Sequence, residues 1–179
     1  MNRGLRNGLI LAAIHLAIVG SLGVKLLADR ARCPRVWVRA APVDPDLPIR
    51  GRYVSIRPQI DRFERMPPPV ERQNAPAGRA WPAFGDRHAV KLEVRQDRLW
   101  AIAVEADTGV TGRTVRRAGV DVVEIDPVAF FIPESSQDPS IRPGGEELWV
   151  EVTIPRRGAP RPIRLGVKKD GALTPLTLR

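Results

Sequence analysis

Hydrophobic positions along the chain follow two different periods. From Gly8 to Val24, seventeen consecutive residues (GLILAAIHLAIVGSLGV) carry no formal charge, and after Lys25 the run resumes with Leu26, Leu27 and Ala28. A lysine near a helix end can bury its stem and carry its ammonium out to the interface. Residues 8–28 as one helix would therefore reach about 31 Å at 1.5 Å per residue, close to the roughly 30 Å hydrocarbon thickness of a bilayer. Beyond residue 29 the apolar positions are spaced by two, the mark of half-buried strands. Val36, Val38 and Ala40 share one face; so do Val90, Leu92 and Val94, with Lys91, Glu93 and Arg95 opposite. Gln96-Asp97-Arg98 then makes a turn, and Trp100, Ile102 and Val104 line the returning strand of a hairpin.

The same period recurs towards the C-terminus. Leu148, Val150, Val152 and Ile154 alternate with Trp149, Glu151 and Thr153, and Ile163, Leu165 and Val167 form a further strand that stops at Lys169-Asp170-Gly171. Residues 51–57, 120–125 and 128–132 supply shorter apolar stretches. A helical pattern is brief, around Ile60 to Met66, and ends at Pro67-Pro68-Pro69. Arg65 to Arg87, with five prolines, reads as a surface loop within one domain. The expected organisation is a basic tail (1–7), a transmembrane helix (8–28) and a β-rich extramembrane domain (29–179), with its proline-rich loop at 65–87. Some eight short strands with proline-rich connections predict a mainly β fold, a small antiparallel barrel or sandwich behind one membrane helix.

Composition sharpens this division. The 179 residues carry 29 Lys+Arg against 20 Asp+Glu, a net charge of +9. All 18 prolines lie beyond residue 29, and only Arg3, Arg6, Lys25 and Asp29 are charged before that point. The later arginines are dispersed among acidic residues, with no run of five basic residues and no interleaved aromatics, so nucleic acid is not expected as a partner. A single cysteine, Cys33, excludes an intramolecular disulfide and a cysteine-cluster metal site. It is preceded by Arg30-Ala31-Arg32 rather than the small residues and leucine that lipidation needs. A cleaved signal peptide would share the basic start, but the apolar run is long for one and no Ala-x-Ala site follows it.

Two features of the anchor bear on partners and direction. Ala13, Ala17 and Ser21 repeat every four residues and form a stripe of small residues, along which helices in a membrane can approach closely. His15 lies on roughly the opposite face with no evident partner. Positive charges flank both ends, with Arg3 and Arg6 before the helix and Lys25, Arg30, Arg32, Arg35 and Arg39 after it. A very short basic tail tends to stay cytoplasmic while large domains translocate largely regardless of charge, so the domain is expected outside the cytoplasm.

A family resemblance follows from particular segments. Ala41-Pro42-Val43-Asp44-Pro45, then Leu47 to Ile56 with Gly51-Arg52-Tyr53, resemble the opening of the GDYXXLXY proteins; Gly85-Asp86-Arg87 and Phe130-Phe131-Ile132-Pro133-Glu134 are similar to later parts of their pattern. The motif keeps Gly51 and Tyr53, but Arg52 replaces its Asp, Ile56 its Leu and Pro58 its final Tyr. Any chemistry that needs the family's Asp is therefore closed to this chain. Physically, Gly51 suits a turn into a strand, and Tyr53 supplies an aromatic body with a hydroxyl handle, both structural roles. The resemblance implies a bacterial, membrane-anchored protein of uncharacterised function, often encoded beside a larger multi-span membrane protein. It implies topology and a partner, not a reaction.

No catalytic constellation emerges from the residues. A Ser/Lys hydrolase of the signal-peptidase kind needs a serine just beyond the membrane and a desolvated lysine to activate it. No serine lies between the helix and Gly51, and Ser55, Lys91 and Glu134 are the remaining candidates. His15 and His88 are the only histidines, so neither a metal centre nor a cofactor is expected. The carboxylate pairs Asp44/Asp46 and Glu146/Glu147 lie in turn-like sequence, as does Arg142-Pro143-Gly144-Gly145. The expectation is a noncatalytic envelope protein of the bacterial inner membrane that binds a multi-span partner through its helix stripe and its sheet. An envelope hydrolase is the alternative.

Overall fold

In the computed structural model the chain divides into two units, residues 1–33 and 34–179. The structure describes residues 3–43, 53–69 and 87–178, without the side chains of Asp29 and Arg30. The first unit is a single helix, α1 (Arg3–Arg32). It runs past both ends of the apolar stretch because Arg, Leu, Lys and Ala are good helix formers whether or not lipid surrounds them.

The second unit is almost wholly strand: β1 (Arg35–Val43), β2 (Tyr53–Ile60), β3 (Arg62–Glu64), β4 (His88–Arg95), β5 (Arg98–Ala103), β6 (Thr111–Arg117), β7 (Val120–Ile125), β8 (Val128–Phe131), β9 (Glu147–Thr153), β10 (Arg161–Lys169) and β11 (Ala172–Pro175). They join in one sheet of order β11-β10-β9-β1-β2-β7-β6-β4-β5-β3, with β8 on β2 beside β7. All pairings are antiparallel except β3 with β5. The protein is thus mainly β, as its alternation predicts. The sheet, however, is open and mixed: its strand order ends at β11 and β3 without closing, so the barrel or sandwich expected from sequence does not form as such among the described residues. It curls so that β5 packs on β1 and β2, and β8 on β10.

A second correction concerns Ile60 to Met66, expected as helix. Ile60 ends β2, and residues 62–64 form β3, where Phe63 pairs with Ala101. A segment of seven residues is too short to support a helix on its own, and a free strand edge on β5 offers it hydrogen bonds instead. Of the proline-rich loop, residues 70–86 lie outside the described residues.

Hairpin turns tie the strands together. Gln96-Asp97, Ala118-Gly119 and Asp170-Gly171 all have positive φ at both residues, the backbone that matches the strands' own twist in two-residue loops. One core runs through the unit, with Val36, Val38, Ile56, Val90, Val123, Ile125, Val150, Val152 and Leu165 buried together. The alternate residues of β1, β2, β7, β9 and β10 then necessarily stand on the outer face, where the candidate site lies.

Candidate functional site

Strand register builds the outer face row by row. Trp149 on β9 is opposite Arg39 on β1, Arg39 is opposite Gln59 on β2, Gln59 is opposite Glu124 on β7, and Glu124 is opposite Arg113 on β6. Arg87 immediately precedes β4, whose His88 pairs with Gly112, so it enters beside Arg113. Directly opposed side chains on one face lie within about 4.5–5.5 Å at Cβ, near enough for polar groups to meet.

Glu124 is the centre of this row and is only 1% exposed. Taking a carboxylate out of water costs several kcal/mol unless it is paired and hydrogen-bonded. Here Arg117 donates from Nε at 3.0 Å and Nη2 at 2.8 Å, and Gln59 donates from Nε2 at 3.1 Å. Arg113 and Arg57 approach at 3.4 Å and 3.6 Å. Burial alone would raise the Glu124 carboxyl, but the hydrogen bonds from Arg117 and Gln59 and the charges of Arg117 and Arg57 outweigh it, leaving it below the ordinary range. A carboxylate held this firmly ionised acts as an electrostatic keystone, not as a proton donor.

A second carboxylate extends the cluster. Asp126 lies just beyond β7 and accepts a hydrogen bond from Thr111 Oγ1 at 2.7 Å and an ion-paired bond from Arg87. The Arg57 guanidinium is pushed below its usual value by burial, restored in part by Glu124, and lowered again by Arg113, Arg87 and Arg117. Four guanidiniums thus surround two carboxylates.

Farther along the same face, the rows of β1, β9 and β10 carry aromatic and charged pairs. The Arg164 guanidinium stands 5.4 Å from the centroid of Trp37 and donates to Glu151 at 2.6 Å. Lys168 Nζ lies 4.6 Å above Trp149, whose Nε1 donates to Glu147 at 3.1 Å. Such cation–π contacts add of order 0.5–1 kcal/mol each at exposed sites.

The residues singled out by sequence are placed differently. Ala13, Ala17 and Ser21 share the helix as expected, and the Ser21 hydroxyl donates to Ile18 O at 2.8 Å. His15 Nδ1 is 2.8 Å from Leu11 O one turn back, so the imidazole finds its partner inside its own helix. Tyr53 opens β2 and pairs with Phe131, their rings 6.2 Å apart and tilted by 49°. Gly51, Arg52, Asp44, Asp46, Gly85 and Asp86 lie outside the described residues.

Ser55 and Lys91 are not neighbours. Two strands, β7 and β6, separate their own strands β2 and β4 in the sheet. Lys91 is 60% exposed and ion-paired with Glu93 at 2.7 Å, the opposite of the desolvated lysine such a hydrolase needs. Among the described residues no group of three or more His, Cys, Asp or Glu could hold a metal ion. The Glu124 cluster was not anticipated. Its one signal is Glu124 standing between Val123 and Ile125, in a strand that carries its other carboxylate, Asp121, nearer its exposed start.

A helix long and apolar enough to cross a membrane, leading into a mainly β body, fits the plan of an anchored β protein. The family model described as GDYXXLXY protein matches residues 15–165, and the chain belongs to that family. No curated protein and no solved structure matches the chain.

Proposed function

We propose that this chain is a noncatalytic envelope protein of the bacterial inner membrane, held there by an uncleaved α1, that binds and supports a multi-span membrane protein. The observation carrying this is α1 itself. Residues 3–28 are long and apolar enough to span a bilayer. Along them Ala13, Ala17 and Ser21 leave one face free of bulk, and the only hydroxyl there is already bonded to Ile18 O. A face of that kind lets another helix approach closely without an unsatisfied polar group. The short basic tail stays in the cytoplasm, and the β body stands on the other side.

Affinity purification of the full chain in mild detergent tests the partner. A multi-span protein should co-purify and be lost when Ala13, Ala17 and Ser21 are all replaced by Leu; retention of the partner by that variant removes the stripe from the reading. Reporter fusions after residue 40 and at the C-terminus test direction, and activity of both in the cytoplasm would reverse the assigned topology. N-terminal sequencing that finds residues 1–28 gone would replace the anchor by a signal peptide.

A further inference from the structure

We propose that Arg57, Arg87, Arg113 and Arg117 form a binding site for a doubly charged oxyanion of the phosphate class on the outer face of the sheet. Three observations carry it. First, charge does not balance: among the described residues, Glu124 and Asp126 are the two carboxylates paired with these four arginines. Two positive charges are left over in a half-buried setting, since the Arg57, Arg87 and Arg113 side chains are only 22%, 28% and 21% exposed. A network serving stability alone gains nothing from such a surplus, because crowded like charges oppose folding.

Second, donors are waiting. Arg57 Nε and Arg87 Nε are buried and have no hydrogen-bond partner among the described residues. A buried donor without an acceptor costs about 1–3 kcal/mol, more when charged. An oxyanion presenting several oxygens to these forks offsets that cost through their Nη donors, and at Nε once the guanidiniums turn outward towards it. Third, the donors are preset. Gln59, Glu124 and Arg113 are locked in one row by strand register, Arg57 is two residues from Gln59 on β2, and Glu124 and Asp126 hold the guanidiniums in place before any ligand arrives. The lowering of Arg57 by its three arginine neighbours is the repulsion that an anion would relieve.

The shared chemistry is a phosphate dianion, whether free in solution or on a lipid headgroup. The test uses the full chain in nanodiscs, one set of phosphatidylcholine alone and one doped with phosphatidic acid. Inorganic phosphate is titrated calorimetrically into each against chloride at equal ionic strength. Saturable binding is expected in the neutral discs, weakened about tenfold by Arg57→Gln and by Arg87→Gln, each of which removes charge-assisted hydrogen bonds. Arg157→Gln, on the exposed β9–β10 connection, should leave it unchanged. Loss of phosphate binding in the doped discs assigns the site to the headgroup, and equal binding in both assigns it to the free ion. Circular dichroism checks each variant's fold; should Arg57→Gln unfold, Arg87→Gln carries the test, because its paired Asp126 is 45% exposed. Absence of saturable phosphate binding in neutral discs overturns the proposal, as does unchanged binding in a folded Arg87→Gln.

Discussion

Gln59 and Glu124 face each other across β2 and β7, and the amide donates a 3.1 Å hydrogen bond into a carboxylate that water scarcely reaches. The neutral amide comes from one side and the guanidiniums of Arg113 and Arg117 from the other. This lets a buried charge sit in the middle of a sheet and lock three strands in register. A one-residue slip of β2 would turn Gln59 and Arg57 to the opposite face, and a slip of β6 would do the same to Arg113 and Arg117, each stripping Glu124 of the partners on that side.

Removing the carboxylate should therefore cost more than any surface change. Glu124→Gln keeps the shape but leaves Arg57, Arg113 and Arg117 facing one another, with an expected loss of about 3–5 kcal/mol. Chemical denaturation of the detergent-solubilised protein measures it. Asp121→Asn breaks the exposed pair with Arg116 and should not move the midpoint.

Acid should act through the same residue. The folded Glu124 carboxyl lies below its unfolded value, so its stabilisation is fully present above the ordinary glutamate range and is lost as pH falls through that range to the lowered folded value. Thermal melts stepped downward from neutral pH should show stability falling across that window. In Glu124→Gln the fall should be shallower; an identical profile would assign acid sensitivity to other carboxylates.

Gly166 tests how tightly the outer face is packed around Trp37. A Cβ there would sit 2.8 Å from Trp37 Cζ3 and 3.1 Å from the carbonyl oxygen of Thr174. The ring can shift only by disturbing its contact with Arg164, and the carbonyl is backbone. Gly166→Ala should lower stability by about 1–3 kcal/mol, the usual range for overpacking. Blue-shifted or quenched Trp fluorescence in the folded variant would report the displaced ring, and an unchanged melt would contradict the close fit.

The tyrosine retained from the family motif is expected to act through packing. Tyr53 and Phe131 pair in register on β2 and β8, with ring centroids 6.2 Å apart. A double-mutant cycle with Tyr53→Leu and Phe131→Leu should give a coupling near 0.5 kcal/mol, low in the range for aromatic pairs because Phe131 is 66% exposed. Additive single effects would show that Tyr53 is kept for another reason.

Much of this architecture was open to direct reading. The uncharged run from Gly8 to Val24 forms part of α1, the conformation that satisfies a backbone's hydrogen bonds within its own segment. The alternation in Val36-Val38-Ala40 and Leu148-Val150-Val152-Ile154 placed β1 and β9 and named their core faces correctly. Local turn chemistry announced the β4–β5 hairpin, but not the face of β5: Leu99 and Ala101, opposite Val94 and Leu92, join the core, while Trp100 pairs with Glu93 and stacks on Arg95. Two strands escaped: β6 has only Val115 as a large apolar residue among Thr, Gly and Arg, and β11 is short and mostly exposed.

The stretch read as a helix at Ile60 to Met66 became β3 because a distant edge, β5, offered it partners. Closure of the sheet could not be read either, since it depends on which edges meet rather than on any local period. The Glu124 cluster belongs to the same class. Its arginines come from β2, β6 and the residue before β4, and nothing short of the strand order β2-β7-β6-β4 brings them to one place. Sequence by itself determined the long apolar helix, the mainly β character and the core faces of β1, β4 and β9, because these follow from period and solvent. Only the tertiary structure decided the open sheet and the arginine-ringed carboxylate, because these are made by strand pairings between residues far apart in the chain.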